Sequence, residues 1–193
     1  MRAERQLVAD DVLAASRAHD AAELDRLRRF RNVEPETASF LALLIRSVRA
    51  ATILELGTSN GYSTIWLADA AETTTGSVLS IYNDPERTEL ARANLARAGL
   101  AVELRTEDAA RTLEAAPAGC WDFVFLDAER PAYVGYWPHL LRTLRPNGGL
   151  LAIDNVLSHA EEVVDVTRLI EDEATVDSVL VPIGAGVRLV VRD

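Results

Sequence analysis

No lysine occurs anywhere in the chain, and all 20 of its basic residues are arginines. Arginine does not deprotonate in proteins, so no side-chain amine is on hand to act as a base. Cys120 is the only cysteine, which excludes an intrachain disulfide and a cysteine cluster for zinc. No apolar run approaches the length of a bilayer span. Met1-Arg2-Ala3-Glu4-Arg5 places charges where a signal peptide needs an apolar core, so a cytoplasmic protein that meets no membrane is expected. Positive charge is short as well: the formal net charge is −10, a field that repels phosphate backbones. Nucleic acid is thereby disfavoured and a small-molecule partner preferred. There is no internal repeat and no dividing linker, and 193 residues suit one domain.

What is present is an alternation. From Thr52 onward, short β-branched runs alternate with segments of helical period, which marks βα units and a parallel sheet. Strands are expected at Thr52–Leu56, Ser77–Tyr82, Ala101–Arg105, Trp121–Asp127 and Gly149–Asp154. Val176–Pro182 and Val187–Arg192 flank Gly184-Ala185-Gly186 and read as an antiparallel hairpin. Asp84-Pro85-Glu86 opens a helix that Gly99 stops, and Ser158-x-x-Glu161 reads as a capping box opening another. The fold class is therefore α/β: a doubly wound, Rossmann-like, mostly parallel seven-stranded sheet with an antiparallel edge hairpin. It fills residues 51–193 of a single domain, after N-terminal helices over 1–50. The apolar faces of those helices are Leu7, Val8, Val12 and Leu13, then Leu24 and Leu27, then Phe40, Leu41, Leu44 and Ile45 beyond Pro35. Arg26-Leu27-Arg28-Arg29-Phe30-Arg31 reads as a solvated helix face without a role.

Ile53-Leu54-Glu55-Leu56-Gly57-Thr58-Ser59-Asn60-Gly61-Tyr62-Ser63 is an apolar strand ending in an acid and two glycines four positions apart. Glycines there let the backbone approach a ligand, and the helix starting near Gly61 turns free N–H groups toward it. The middle glycine of the dinucleotide fingerprint is replaced by Ser59, which disfavours a nicotinamide-dependent oxidoreductase. The loop resembles motif I of class I S-adenosylmethionine-dependent methyltransferases. After about Val33 the chain resembles the catechol and caffeoyl-CoA O-methyltransferase family in motif order and content. The resemblance implies S-adenosylmethionine as cofactor, with Glu55, Gly57, Thr58 and Gly61 around its methionine part and Ser63 on its carboxylate. Asp108 and Ala109 match the segment bordering adenine, although Asp108 also suits a helix cap. The family's ribose-binding acid falls on Tyr82, whose single phenolic oxygen cannot accept both hydroxyls, leaving Asn83 or Asp84 to substitute.

Two further strands end in polar residues, one in Asp127 and the other in Asp154-Asn155. If these strand ends are neighbours, three oxygen ligands converge where open α/β sheets bind ligands, and hard cations such as Mg²⁺ take such ligands. The resemblance gives Asp127, Asp154 and Asn155 the same metal-binding role. Coordination of a vicinal diol would lower the hydroxyl pKa from near 10 and aim one oxygen at the sulfonium methyl. Arg130 stands where the family carries lysine and cannot serve as general base, but it can pair with the oxyanion or an acidic substituent. His159, read as lying in the first turn of a helix, is the alternative base. Tyr133, Tyr136 and Trp137 are candidates for contact with an aryl group or for packing, and Arg31 and Asn32 lie in a segment near the acceptor in the resembled family. His19 and His139 read as surface residues. The expected function is a metal-dependent O-methyltransferase of a small catechol-like aromatic, with a homodimer implied by the resemblance alone. The competing reading is a cofactor-binding protein of the same fold with little transferase activity.

Overall fold

The computed structural model describes residues 1–193. Two helices come first, α1 (Ala3–Ala22) and α2 (Pro35–Val48), and Pro35 fits the first turn of α2, where no N–H is needed. The core then runs β1 (Thr52–Leu56), α3 (Tyr62–Thr73), β2 (Ser77–Tyr82), α4 (Pro85–Arg97), β3 (Glu103–Thr106), α5 (Ala109–Ala115) and β4 (Phe123–Leu126). It continues with α6 (Tyr133–Thr143), β5 (Gly149–Ile153), α7 (Val164–Glu171), β6 (Val176–Val181) and β7 (Val187–Arg192). The strands form one sheet in the order β3-β2-β1-β4-β5-β7-β6. β7 alone is antiparallel to its neighbours β5 and β6. The expected α/β class, seven strands and edge hairpin are all present.

The central strands are apolar on both faces because helices cover both sides. In β4, Phe123 and Phe125 join the core beneath α1, α2 and α3, while Val124 and Leu126 join the core beneath α6 and α7. In β5, Leu150 and Ala152 divide from Leu151 and Ile153 in the same way. The sheet order reverses between β1 and β4, which opens a crevice at their carboxyl ends.

Two expectations fail locally. Leu24 and Leu27 supply no helix face: they are 93% and 75% exposed, in a segment with only a three-residue 3-10 turn at Arg26–Arg28. Carboxylate oxygens of Asp20 accept the Phe30 and Arg31 N–H groups at 2.8 and 2.9 Å, and the Leu27 carbonyl accepts from Arg87 at 3.1 Å. The segment is thus tied from outside rather than by its own helical bonds. The Ser158–Glu161 capping box does not form either. The Ser158 hydroxyl faces His159 Nδ1 at 2.8 Å, its N–H donates to the Ala185 carbonyl, and the helix begins only at Val164.

Candidate functional site

Gly57 takes a φ of +122°, and a Cβ there would collide with the Asp127 carbonyl. Only glycine lets the β1 loop pass so close to the end of β4. Gly61, at φ +85°, ends the loop and packs against Ala91, and α3 starts at the next residue. The N–H of Ser63 makes no backbone hydrogen bond, so this helix start offers a free donor to an anionic group. Glu55 sits beneath the loop, fully buried. It accepts from the hydroxyls of Ser63, Thr64 and Ser80 at 2.5 to 2.6 Å, and burial raises its pKa. Its part is to fix the start of α3 from behind.

Above the loop lies a cavity of about 410 Å³. It receives Gly57, Thr58 and Ser63 from the first loop, Tyr82 and Asn83 from the end of β2, and Asp108 and Ala109 from the start of α5. Glu55 and Gly61 do not line it. Asp108 accepts from the Ala110 N–H at 2.9 Å and so caps α5 while facing the cavity; Asp84 caps α4 through Glu86 and Arg87. Tyr82 has company that the sequence did not disclose. The Arg87 guanidinium carbon lies 5.9 Å from the Tyr82 ring centroid and 5.1 Å from that of Phe30, and one of its nitrogens donates to the Tyr82 hydroxyl at 3.4 Å.

Asp127, Asp154 and Asn155 meet at the far side of the cavity. The Asn155 amide donates to Asp127 at 2.9 Å and to Asp154 at 3.2 Å. Asn155 adopts φ +66°, a left-handed conformation that asparagine tolerates better than most residues. Burial, together with the charges of Asp154 and Glu55, pushes the Asp127 carboxyl up against the opposing pull of Arg31 and Arg130. Burial also raises Asp154, and its Oδ1 has no hydrogen-bond partner. Nowhere does the chain gather three carboxylate, imidazole or thiol groups; this set is two carboxylates and an amide that carries an oxygen of its own. Two buried acids that resist ionising side by side, one of them with an unpartnered oxygen, fit a divalent cation, toward which Asn155 would turn its amide oxygen in place of the nitrogen.

Arg130 and His159 face the same cavity. Arg130 donates through Nε to Glu162 at 2.7 Å, and its side chain is only 10% exposed. His159 lies in a turn, so a helix dipole does not tune it. Burial lowers its pKa, helped by the positive charges of Arg130, Arg26 and Arg31. Tyr133 and Trp137 are buried in the core under α6, and Tyr136 alone of the three lines the cavity. Arg31 and Asn32 line it too, joined by Arg26 and Phe30. The arginine run was the only sign of Arg26 in the sequence, and its exposed role depended on the non-helical path of the segment.

An O-methyltransferase family model matches residues 16–193. The catechol O-methyltransferase of Mycobacterium tuberculosis is 40% identical over 155 residues, which cover 78% of this chain and 68% of that protein. The catechol O-methyltransferase of Niastella koreensis is 40% identical over 131 residues, 65% of this chain and 58% of that protein, so the match spans less than two thirds of the latter. Among solved structures, the O-methyltransferase of Bacillus cereus in complex with S-adenosylhomocysteine superposes with a TM-score of 0.80 at 28% identity, covering 96% of this chain and 90% of that one. The O-methyltransferase TomG of Streptomyces achromogenes, in complex with S-adenosylmethionine, gives 0.76 at 27% identity, covering 100% and 90%.

Proposed function

Because the chain belongs to the S-adenosylmethionine-dependent O-methyltransferase family, we propose that it methylates a hydroxyl of a small catechol-like aromatic with the help of a divalent cation, Mg²⁺ foremost. The observation that carries this reading is the Asp127–Asn155–Asp154 cluster beside the Gly57 loop. It agrees with two relatives being catechol O-methyltransferases. No helix is long and apolar enough to cross a membrane, and a cytoplasmic enzyme of small molecules, working alone or as a homodimer, belongs to the same proposal.

In this reading the Gly57 loop and the Ser63 N–H hold the methionine end of the cofactor, with Tyr82, Asn83, Asp108 and Ala109 along its nucleoside. Asp127, Asp154 and Asn155 would hold the cation, which when bound lowers the pKa of a hydroxyl it contacts. His159 engages the Ser158 hydroxyl through Nδ1, leaving Nε2 to accept the acceptor's proton. When bound, S-adenosylmethionine would supply the methyl group to the acceptor oxygen, the carbon–sulfur bond breaking as the carbon–oxygen bond forms and the sulfur leaving as a neutral thioether. Arg130 keeps its charge throughout and so cannot take the proton.

The test is transfer of labelled methyl from S-adenosylmethionine to 3,4-dihydroxybenzyl alcohol, with Mg²⁺ and again in EDTA. EDTA or Asp154→Asn is expected to cut the rate by at least about a hundredfold, while calorimetry shows S-adenosylhomocysteine binding the variant normally. Undiminished transfer in EDTA would remove the cation. Normal cofactor binding with no transfer to any catechol would favour a cofactor-binding protein instead.

A further inference from the structure

The charged groups that line the cavity are unequally satisfied. Glu34 pairs with Arg17 at 3.1 Å and Glu129 with Arg31 at 3.4 Å. Glu107 accepts from the Thr112 hydroxyl at 2.7 Å, Asp108 caps α5, and Asp127 and Asp154 form the cation cluster. Every acid therefore has an occupation. The donors do not. Arg26, solvent-exposed, lines the cavity with no ion pair and no side-chain hydrogen bond. Arg130 spends only Nε on Glu162, and its two terminal nitrogens have no acceptor although the side chain is nine-tenths buried. The Asn32 side-chain amide nitrogen is buried without a partner in the same cavity.

A buried donor without an acceptor, as at Asn32, is costly, and a ligand that supplies only acceptors satisfies it together with the free guanidinium nitrogens of Arg26 and Arg130. A carboxylate does so with two oxygens and pairs with a guanidinium fork through charge-assisted bonds. We propose that the acceptor is a catechol carrying a carboxylate, bound by Arg26, the terminal nitrogens of Arg130 and the Asn32 amide. The inference rests on the O-methyltransferase reading above for the catechol and on these unpaired donors for the carboxylate. It also accounts for an arginine that cannot act as a base yet is held in place by Glu162 at the cavity wall. The net charge of −10 works against anions at long range, so the selection acts inside the cavity that all three donors line.

Three acceptors that share the catechol and differ in the charge of the substituent test this: 3,4-dihydroxybenzoate, 3,4-dihydroxybenzyl alcohol and dopamine. With Mg²⁺ and S-adenosylmethionine, kcat/KM is expected to favour the benzoate over the alcohol by about tenfold or more, and over dopamine by a wider margin. Arg26→Gln should lower the benzoate-to-alcohol ratio at least about fivefold. Arg28→Gln removes the same charge from the same segment outside the cavity and should leave that ratio within about twofold. Calorimetry on the protein loaded with Mg²⁺ and S-adenosylhomocysteine measures binding of the same three compounds without turnover. Tighter binding of the benzoate, lost in Arg26→Gln, upholds the inference even if no methyl is transferred, in which case it is the proposed activity that fails. Equal or better binding of the alcohol or dopamine, or a ratio that Arg26→Gln does not move, overturns it.

Discussion

His159 lines the cavity, and its Nδ1 lies 2.8 Å from the Ser158 hydroxyl. In the proposed role of general base it would typically contribute about a hundredfold or more to a proton-transfer step. His159→Ala is expected to lower kcat by about that factor with little change in the acceptor KM, and added imidazole should restore part of the loss. An unaltered kcat and pH–rate profile would assign the proton to water. At this scale the sequence was a good guide to which residue types end the strands: Asp127, Asp154, Asn155, Tyr82 and Arg130 all face one cavity. It was a poor guide to their second partners. Glu162 on Arg130 and Phe30 against Arg87 come from other segments, and no local spacing announces a contact across 32 residues.

Elements repeat the contrast. Strands β1 and β2 lie where the β-branched runs placed them, because burial on both faces leaves a short continuous apolar stretch few alternatives, and β7 does so beside the Gly184-Ala185-Gly186 turn. Leu24–Asn32 was misread because its hydrogen bonds go to Asp20, Arg87 and Ser59 instead of to its own backbone. Helical spacing of Leu24 and Leu27 carried no information about those partners. The β1 loop is the element on which the site depends most, and Gly57 is its narrowest point. Gly57→Ala meets both an unfavourable φ and the Asp127 carbonyl, so the β1 loop must move away from β4. The variant should lose more than about 1 kcal/mol of stability and bind S-adenosylhomocysteine at least about tenfold more weakly, as melting and calorimetry would show. Normal cofactor affinity would mean that the close approach of loop and strand is dispensable.

Across the whole molecule, the helical cap is attached to the sheet domain by charge as well as by apolar packing. Arg5 of α1, 6% exposed, donates to Asp69 at 3.0 Å and to Glu72 at 2.7 and 2.8 Å on α3, and Arg46 of α2 reaches Asp69 at 2.8 Å. Arg5→Ala leaves Asp69 with Arg46 and the half-exposed Glu72 with Arg2, so it should cost about 1.5–3 kcal/mol. Burial alone would raise Asp69, but hydrogen bonds from Arg5 and the Arg2 N–H outweigh it and hold the carboxyl below its usual range; the Arg5 bond holds Glu72 down in the same sense. Asp20, at the far end of α1, is also lowered, because the Arg31 and Phe30 N–H groups overcome its burial. Folded-state values below the unfolded ones mean that these acids stabilise the protein fully above about pH 4 to 5 and lose that contribution as pH falls through the lowered values. Glu55, Asp127 and Asp154, raised in the fold, act in the opposite sense over the same range, so Asp69→Asn isolates the lowered acids: as pH is taken from 5 to about 3 its melting temperature should fall less, or rise more, than that of the parent. The same linkage reaches the cavity, because Asp20 ties down Phe30 and Arg31 on its rim. Asp20→Asn, which weakens those ties without touching the first glycine loop, should raise the acceptor KM several-fold while leaving S-adenosylhomocysteine affinity nearly unchanged. Equal losses in both would show that α1 supports the whole fold and has no separate hold on the acceptor side.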